Sequence, residues 1–253
     1  MVQQLFIITG TSRGMGAAMA EQLLQSTEVT LVGISRHLNP TLAGRAASSG
    51  ARCEQWAMDL SEPVAVAARL ETWLATLEAR DFAFASLINN AGMLTPIGAI
   101  ERCTDLQLSA ALRAGLEAPL LLTAAFLRAT AEWPGERRVL NISSGLGRRA
   151  MAGQATYCAA KAGMDHLSRA IALDQAELPR GAKVVSLAPG VIDTDMQAQL
   201  RGADSAGFPE QANFAHLKEA GKLTSSDDAA ARVIAYLHRA DFGASPTADI
   251  RDA

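Results

Sequence analysis

Tyr157 and Lys161 lie four residues apart in an alanine-rich stretch, and Ser144 precedes the tyrosine by thirteen residues. On a helix, positions i and i+4 share a face, so phenol and ammonium would point into one site. A phenol with its ordinary pKa near 10 moves protons poorly at neutral pH unless a cation stabilises its phenolate. Lys161 supplies such a cation, and the Ser144 hydroxyl could hold a carbonyl oxygen. Proton delivery to a carbonyl under reduction is the chemistry these three residues suit. A tyrosine and lysine at this spacing also occur on ordinary helices. The serine, and a glycine turn far upstream, give the pair its weight.

That turn is Thr9-Gly10-Thr11-Ser12-Arg13-Gly14-Met15-Gly16. Between a strand and a helix, glycines at such spacing let backbone amides approach a pyrophosphate at the positive end of the helix. Gly10, Ser12, Arg13, Gly14, Met15 and Gly16 are therefore candidate cofactor contacts. The same residues satisfy G-x-S-x-G, the nucleophile elbow of α/β-hydrolases, with Asp193 and His216 following in the right chain order. Position argues against a hydrolase, because only eleven residues precede Ser12 and none can form the earlier loop that donates to an oxyanion.

The end of the second predicted strand, Ile34-Ser35-Arg36-His37, has no carboxylate for a ribose 2′-hydroxyl. A base there suits a 2′-phosphate, so Ser35 and Arg36, with Arg13, point to NADP(H) over NAD(H). Asp59 and Leu60 close the third strand, where Asp59 could accept from the adenine amino group or act as a helix cap before Pro63. Asn90, Ala91 and Gly92 close the fourth, where small residues leave room for a cofactor.

Elements that would position these residues follow in regular order. Strands are expected at Gln4–Thr9, Glu28–Ile34, Ala51–Met58, Ser86–Asn89, Arg138–Ile142, Lys183–Leu187 and Pro246–Ile250, mostly as continuous apolar runs. Helices are expected at Met15–Gln25, Pro40–Ser49, Val64–Ala79, Thr104–Thr130, Thr156–Leu178 and Asp227–Arg239, with Pro119 kinking the fourth. This βα alternation predicts an α/β class protein: a doubly wound (Rossmann) parallel sheet of about seven strands, helices on both faces. Residues 1–253 read as a single domain. The stretch 197–223, rich in glycine and weak in periodicity, reads either as a substrate flap or as an ordinary surface excursion.

Composition closes off other classes. The 253 residues are 49% apolar, 19% charged and 5% aromatic, with a formal net charge of -3. That is far from a disordered composition, and the balance carries no electrostatic footprint for nucleic acid or anionic membrane. No run was expected to be apolar and long enough to span a bilayer. Cys53, Cys103 and Cys158 are widely spaced, and no histidine has ligand spacing, so neither disulfides nor a metal are expected. Without a recognisable leader, a cytoplasmic location is expected. Arg148 and Arg149 read as a solvated loop pair or as guides for an anionic substrate.

As a set, the glycine turn, Asn89-Asn90-Ala91-Gly92, Ser144, Tyr157-Cys158-Ala159-Ala160-Lys161 and Ala188-Pro189-Gly190 closely resemble the short-chain dehydrogenase/reductase family over nearly the whole chain. The resemblance implies Tyr157 as general acid, Lys161 as contact to the nicotinamide ribose, and Ser144 as carbonyl anchor. It places Pro189, Gly190, Ile192 and Thr194 at the nicotinamide. Finer likeness, in 157–162, 190–197 and 217–223, is to the branch containing sepiapterin reductase and bacterial benzil reductases. This branch implies NADPH-dependent reduction of a small-molecule ketone or dicarbonyl, and a homodimer or homotetramer built on the 104–130 and 156–178 helices. In the same branch an aspartate near the chain end anchors substrate. Asp249 matches it, with Met196 also near the substrate, although a solvated tail acid is the other reading. One departure stands out: Gly115 occupies the place where the family usually has an asparagine supporting a water in the proton relay. A non-catalytic NADP(H)-binding sensor or scaffold is therefore the competing function.

Overall fold

The computed structural model describes residues 3–252. Its strands are β1 (Gln3–Thr9), β2 (Val29–Ser35), β3 (Arg52–Ala57), β4 (Phe82–Asn89), β5 (Glu136–Ile142), β6 (Lys183–Ala188) and β7 (Thr247–Asp249). All pair in parallel in one sheet of order β3-β2-β1-β4-β5-β6-β7. The order reverses between β1 and β4, and a parallel sheet of this kind binds ligands at the carboxyl ends of strands beside such a switch.

Helices α1 (Gly14–Leu23), α2 (Pro40–Ser49) and α3 (Pro63–Leu74) follow the first three strands. Next come α4 (Asp105–Leu112), α5 (Ala118–Ala129), α6 (Ala155–Ala176), α7 (Asp195–Arg201), α8 (Gln211–Glu219) and α9 (Ser226–Leu237). One apolar core lies under α1, α2 and α9, with Phe6, Ile8, Leu31, Leu140 and Val233 fully buried. The other lies under α3 and α5, around Leu5, Ile7, Val32, Leu87, Leu122 and Phe126. Strand residues that alternate between these two cores are buried on both faces, which is why β1 and β2 read as unbroken apolar runs. Edge strand β3 instead exposes Arg52 and Glu54. Gly33, inside β2, is required by a close approach: a Cβ there would lie 2.5 Å from Thr11 Oγ1 in the first βα turn.

The expected 104–130 helix is in fact α4, a π-helical turn at Arg113–Glu117, and α5. Pro119 has no N–H to donate back to the preceding turn, and the widened turn absorbs that lost bond. Contrary to expectation, one stretch among the described residues, Asp105–Ala129, is long and apolar enough to cross a membrane by length and composition, with an 18-residue window of mean hydropathy 1.4. Here 44% of that window is buried, and α5 packs on α3. The 197–223 stretch contains most of α7 and all of α8. Between them Phe208 is fully buried against Met151 and Leu200, so one side chain anchors the excursion.

Candidate active site

Above the carboxyl ends of the strands runs an open cleft of about 1090 Å³. At one end the glycine turn closes β1 onto α1. Gly10 and Gly14 have φ of 78° and 59°, values that disfavour any other residue. A Cβ on Gly16 would sit 2.1 Å from the Gly10 carbonyl oxygen and 2.4 Å from Asn90 Nδ2. Asn90 holds the turn in place, donating from Nδ2 to the Thr9 carbonyl at 2.9 Å, while Thr9 Oγ1 accepts from the Asn90 and Ala91 amides. Gly92 faces open space, with only Lys161 Nζ near a hypothetical Cβ. The bare turn amides at a helix N-terminus and the side-chain-free path past Gly92 fit a dinucleotide.

Ser35, Arg36, Asp59 and Leu60 line the same cleft beyond β2 and β3. The Ser35 hydroxyl donates to the His37 carbonyl, and Arg36 is exposed. Asp59 accepts from the Ser61 amide at 2.8 Å but does not cap α3, whose N-cap is Glu62. Arg13 is ion-paired with Asp195 at 3.0 Å, linking the glycine turn to the start of α7. Pro189, Gly190, Ile192, Thr194 and Met196 form the opposite wall, where Ile192 bridges to Thr224. Ser12 makes no hydrogen bond to a histidine among the described residues. His216 is exposed on α8, and Asp193 is taken up by Lys218 and Arg201. No hydrolytic triad is formed.

Ser144, Tyr157 and Lys161 meet in the middle of the cleft. Ser144 ends the extended segment after β5, and its hydroxyl accepts from the Leu146 amide at 3.2 Å, opening a short 3₁₀ turn. Tyr157 and Lys161 stand on the first two turns of α6. The Lys161 ammonium lies 5.6 Å from the Tyr157 ring centroid and donates to the Ile142 carbonyl at 2.6 Å. Burial pushes the Tyr157 phenol up from its ordinary value. A hydrogen bond with Ser144 pulls the other way, and the Cys158 thiol adds to the rise. Burial also pulls Lys161 down to about 8, opposed by the Asp165 carboxylate. An ammonium brought down to about 8 by burial, beside a phenol that burial raises, is an arrangement suited to moving a proton.

Gly115 lies in the π turn facing α6, and a Cβ there would come within 3.2 Å of Ala160 Cβ. For the asparagine that the family resemblance leads one to expect, Ala160 would have to give by a few tenths of an ångström. Beside it is a cavity of about 10 Å³ lined by Gly92, Gly115, Tyr157 and Lys161, about the room one water takes.

Several residues of the site were not singled out by sequence. Leu94, Leu146, Met151, Leu200 and Phe214 make an apolar wall at the Tyr157 end of the cleft. Scattered over four loops and helices, they have no shared spacing. Asp165 is buried in α6, and Arg148 pairs with it at 3.3 Å instead of lying free in solvent. Arg149 does line the cleft. Asp249 is not a solvated tail acid: it is buried at the end of β7 and held in a fork by Arg251 at 2.6 Å and 2.8 Å. No cluster of potential metal ligands occurs among the described residues.

Comparison with known proteins agrees with this geometry. Residues 4–205 match the family model for short chain dehydrogenase. A benzil reductase ((S)-benzoin forming) of Bacillus cereus is 35% identical over 236 residues, spanning 93% of this chain and 94% of its own. A short-chain dehydrogenase/reductase crystal structure from Burkholderia vietnamiensis is 37% identical, covers 99% of this chain and 98% of its own, and superposes with a TM-score of 0.64. A 3-oxoacyl-acyl-carrier-protein reductase from Brucella melitensis, solved with NAD, shares the fold at a TM-score of 0.81 and 21% identity, over 99% of this chain and 96% of its own.

Proposed function

Because the chain belongs to the short-chain dehydrogenase/reductase family, whose members are nicotinamide-dependent oxidoreductases, we propose that it is an NADPH-dependent carbonyl reductase acting on apolar ketones or dicarbonyls of the benzil kind. The observation that carries the reading is the convergence of Ser144, Tyr157 and Lys161 in the glycine-walled cleft, beside the apolar wall of Leu94, Leu146, Met151 and Phe214.

Gly10, Ser12, Gly14, Met15 and Gly16 would cradle the pyrophosphate, Asn90, Ala91 and Gly92 would floor the cleft, and Asp59 and Leu60 would flank the adenine. Arg36, and Arg13 once released from Asp195, would hold the 2′-phosphate that distinguishes NADP(H). Pro189, Gly190, Ile192 and Thr194 would hold the carboxamide end. Bound there, the dihydronicotinamide supplies the hydride. Ser144 orients the carbonyl oxygen, and Tyr157 donates its phenolic proton to that oxygen as negative charge develops. Lys161 stabilises the phenolate left behind. Met196 and the 197–223 flap would close over the substrate, within one cofactor-binding domain spanning 1–253. Leu106, Leu112, Leu120 and Leu173, exposed on α4, on α5 and on α6, suit a homodimer or homotetramer built on these helices.

The test is NADPH oxidation with benzil and a panel of aliphatic diketones. Turnover in the wild type, reduced by about a thousandfold in Tyr157→Phe with NADPH affinity retained, supports the assignment. Tight NADPH binding without turnover on any carbonyl would instead favour the non-catalytic binding protein.

A further inference from the structure

Helix α6 turns an unusual face to the sheet. Its buried stripe includes Lys161, Asp165 and Ser168, three polar residues at i, i+4 and i+7. Each is matched by a partner. Lys161 donates to the Ile142 carbonyl, and Asn141 of β5 donates to Ser168 Oγ at 2.8 Å. Asp165 Oδ1 accepts from two hydroxyls, Ser143 at 2.5 Å and Ser186 of β6 at 2.7 Å. Its other oxygen faces Arg148 Nε at 3.3 Å. Arg148 also donates to the Ala248 carbonyl at 2.8 Å and lies 4.0 Å from Asp249, itself paired with Arg251. Gly147 keeps the space clear: a Cβ there would lie 2.8 Å from Asp165 Oδ2.

We propose that Asp165 is a positioning residue for the Tyr157–Lys161 pair, fixing Ser143, and with it Ser144, against α6 while holding a negative charge one helical turn from the lysine. The inference rests on the reductase reading for its consequence in catalysis, but its structural content does not. Four parts of the fold converge on this carboxylate: the segment leaving β5 through Ser143, β6 through Ser186, the end of the 3₁₀ turn through Arg148, and α6 itself. A carboxylate buried this way is costly unless it is paired and hydrogen-bonded, and here it is both.

The charged groups facing Asp165 are Lys161 on its own helix and Arg148, with Asp249 and Arg251 behind the arginine. Of the other elements packed on α6, α4 and the π turn carry Asp105, Arg113 and Glu117, all exposed. Arg128 of α5 is paired with Glu71, and Lys183 of β6 with Glu136. Removing the Asp165 charge makes proton loss from the coupled pair easier, whichever member gives up the proton. Removing Arg148 leaves that charge uncompensated and makes proton loss harder.

The experiment uses the full-length protein in a Tyr236→Phe background, so that Tyr157 is the only tyrosine left. Phenolate absorbance is titrated without substrate, and the basic limb of kcat/KM for NADPH-dependent benzil reduction is measured in parallel. Asp165→Asn keeps the acceptor for both serines, loses the charge, and turns an amide N–H₂ in place of the oxygen toward Arg148. We expect both curves to move down by about one pH unit. Arg148→Met should move both up by about half a unit, and it carries the test alone if Asp165→Asn fails to melt cooperatively. A purely structural role would lower the melting temperature and activity evenly across pH. Unmoved curves in folded variants overturn the proposal. If the wild type reduces no carbonyl, the reductase reading fails, and the absorbance titration still decides the role of Asp165.

Discussion

Gly16→Ala tests whether the glycine turn is the cofactor cradle. The added methyl would start 2.1 Å from the Gly10 carbonyl oxygen and 2.4 Å from Asn90 Nδ2. Ordinary contacts need roughly 1 Å more, so either the turn or the asparagine must move. Overpacking of this kind costs about 1–3 kcal/mol. Displacing Asn90 from the Thr9 and Gly10 carbonyls adds about 1 kcal/mol. A total near 3 kcal/mol lowers Tm by about 6–12 °C in a chain of this size. The same shift displaces the turn amides from any phosphate they hold, and losing about 2 kcal/mol there weakens NADPH binding by roughly thirtyfold. Thermal melting by circular dichroism reads the first effect, and calorimetric titration with NADPH reads the second. Gly44→Ala is the control: it sits inside α2 with nothing within 4 Å of a Cβ, and should gain about 0.5–1 kcal/mol. A Gly16→Ala protein with wild-type Tm and NADPH affinity would refute the reasoning.

Other outcomes follow from the same geometry. Arg36→Asp puts a carboxylate at the end of β2, and should weaken NADPH binding at least tenfold while improving NADH binding, read by titration with both. Lys161 is held down to about 8 by burial, so its ammonium is present below that pH and lost above it. Reductive kcat/KM should therefore fall as pH rises through about 8, and a rate flat to pH 10 would contradict the role of the lysine. Phe214→Ala removes part of the apolar wall and should raise KM for benzil about tenfold, with little effect on a small aliphatic diketone such as diacetyl.

Which parts of the molecule were legible in sequence depended on whether the controlling physics is local. Strands β1 and β2 were readable because burial on both faces leaves an unbroken apolar run. Edge strand β3, half in solvent, was expected as well at Ala51–Met58, whereas helix α8, with no buried residue, was not. The α4–α5 break was foreseen in cause, through Pro119, but not in form. A missing N–H is visible in a sequence, whereas the π turn at Arg113–Glu117 that absorbs it is visible only in the fold.

The site divides the same way. Tyr157 and Lys161 were readable because helix geometry alone puts i and i+4 on one face, and the glycine turn because positive φ and close backbone approach restrict residue type locally. Asp165 has the same spacing from Lys161, yet on paper it is an ordinary surface ion pair on a helix. Only the packing of α6 on the sheet buries that carboxylate and gives it two serine partners, one just past β5 and one in β6. Arg148 read as a solvated arginine until the 3₁₀ turn folded it onto Asp165 and the end of β7. Residue types and short spacings, governed by backbone geometry, determined the family, the sheet and the candidate proton donor. The tertiary structure decided which charges are buried and paired, because burial depends on what arrives from across the sheet.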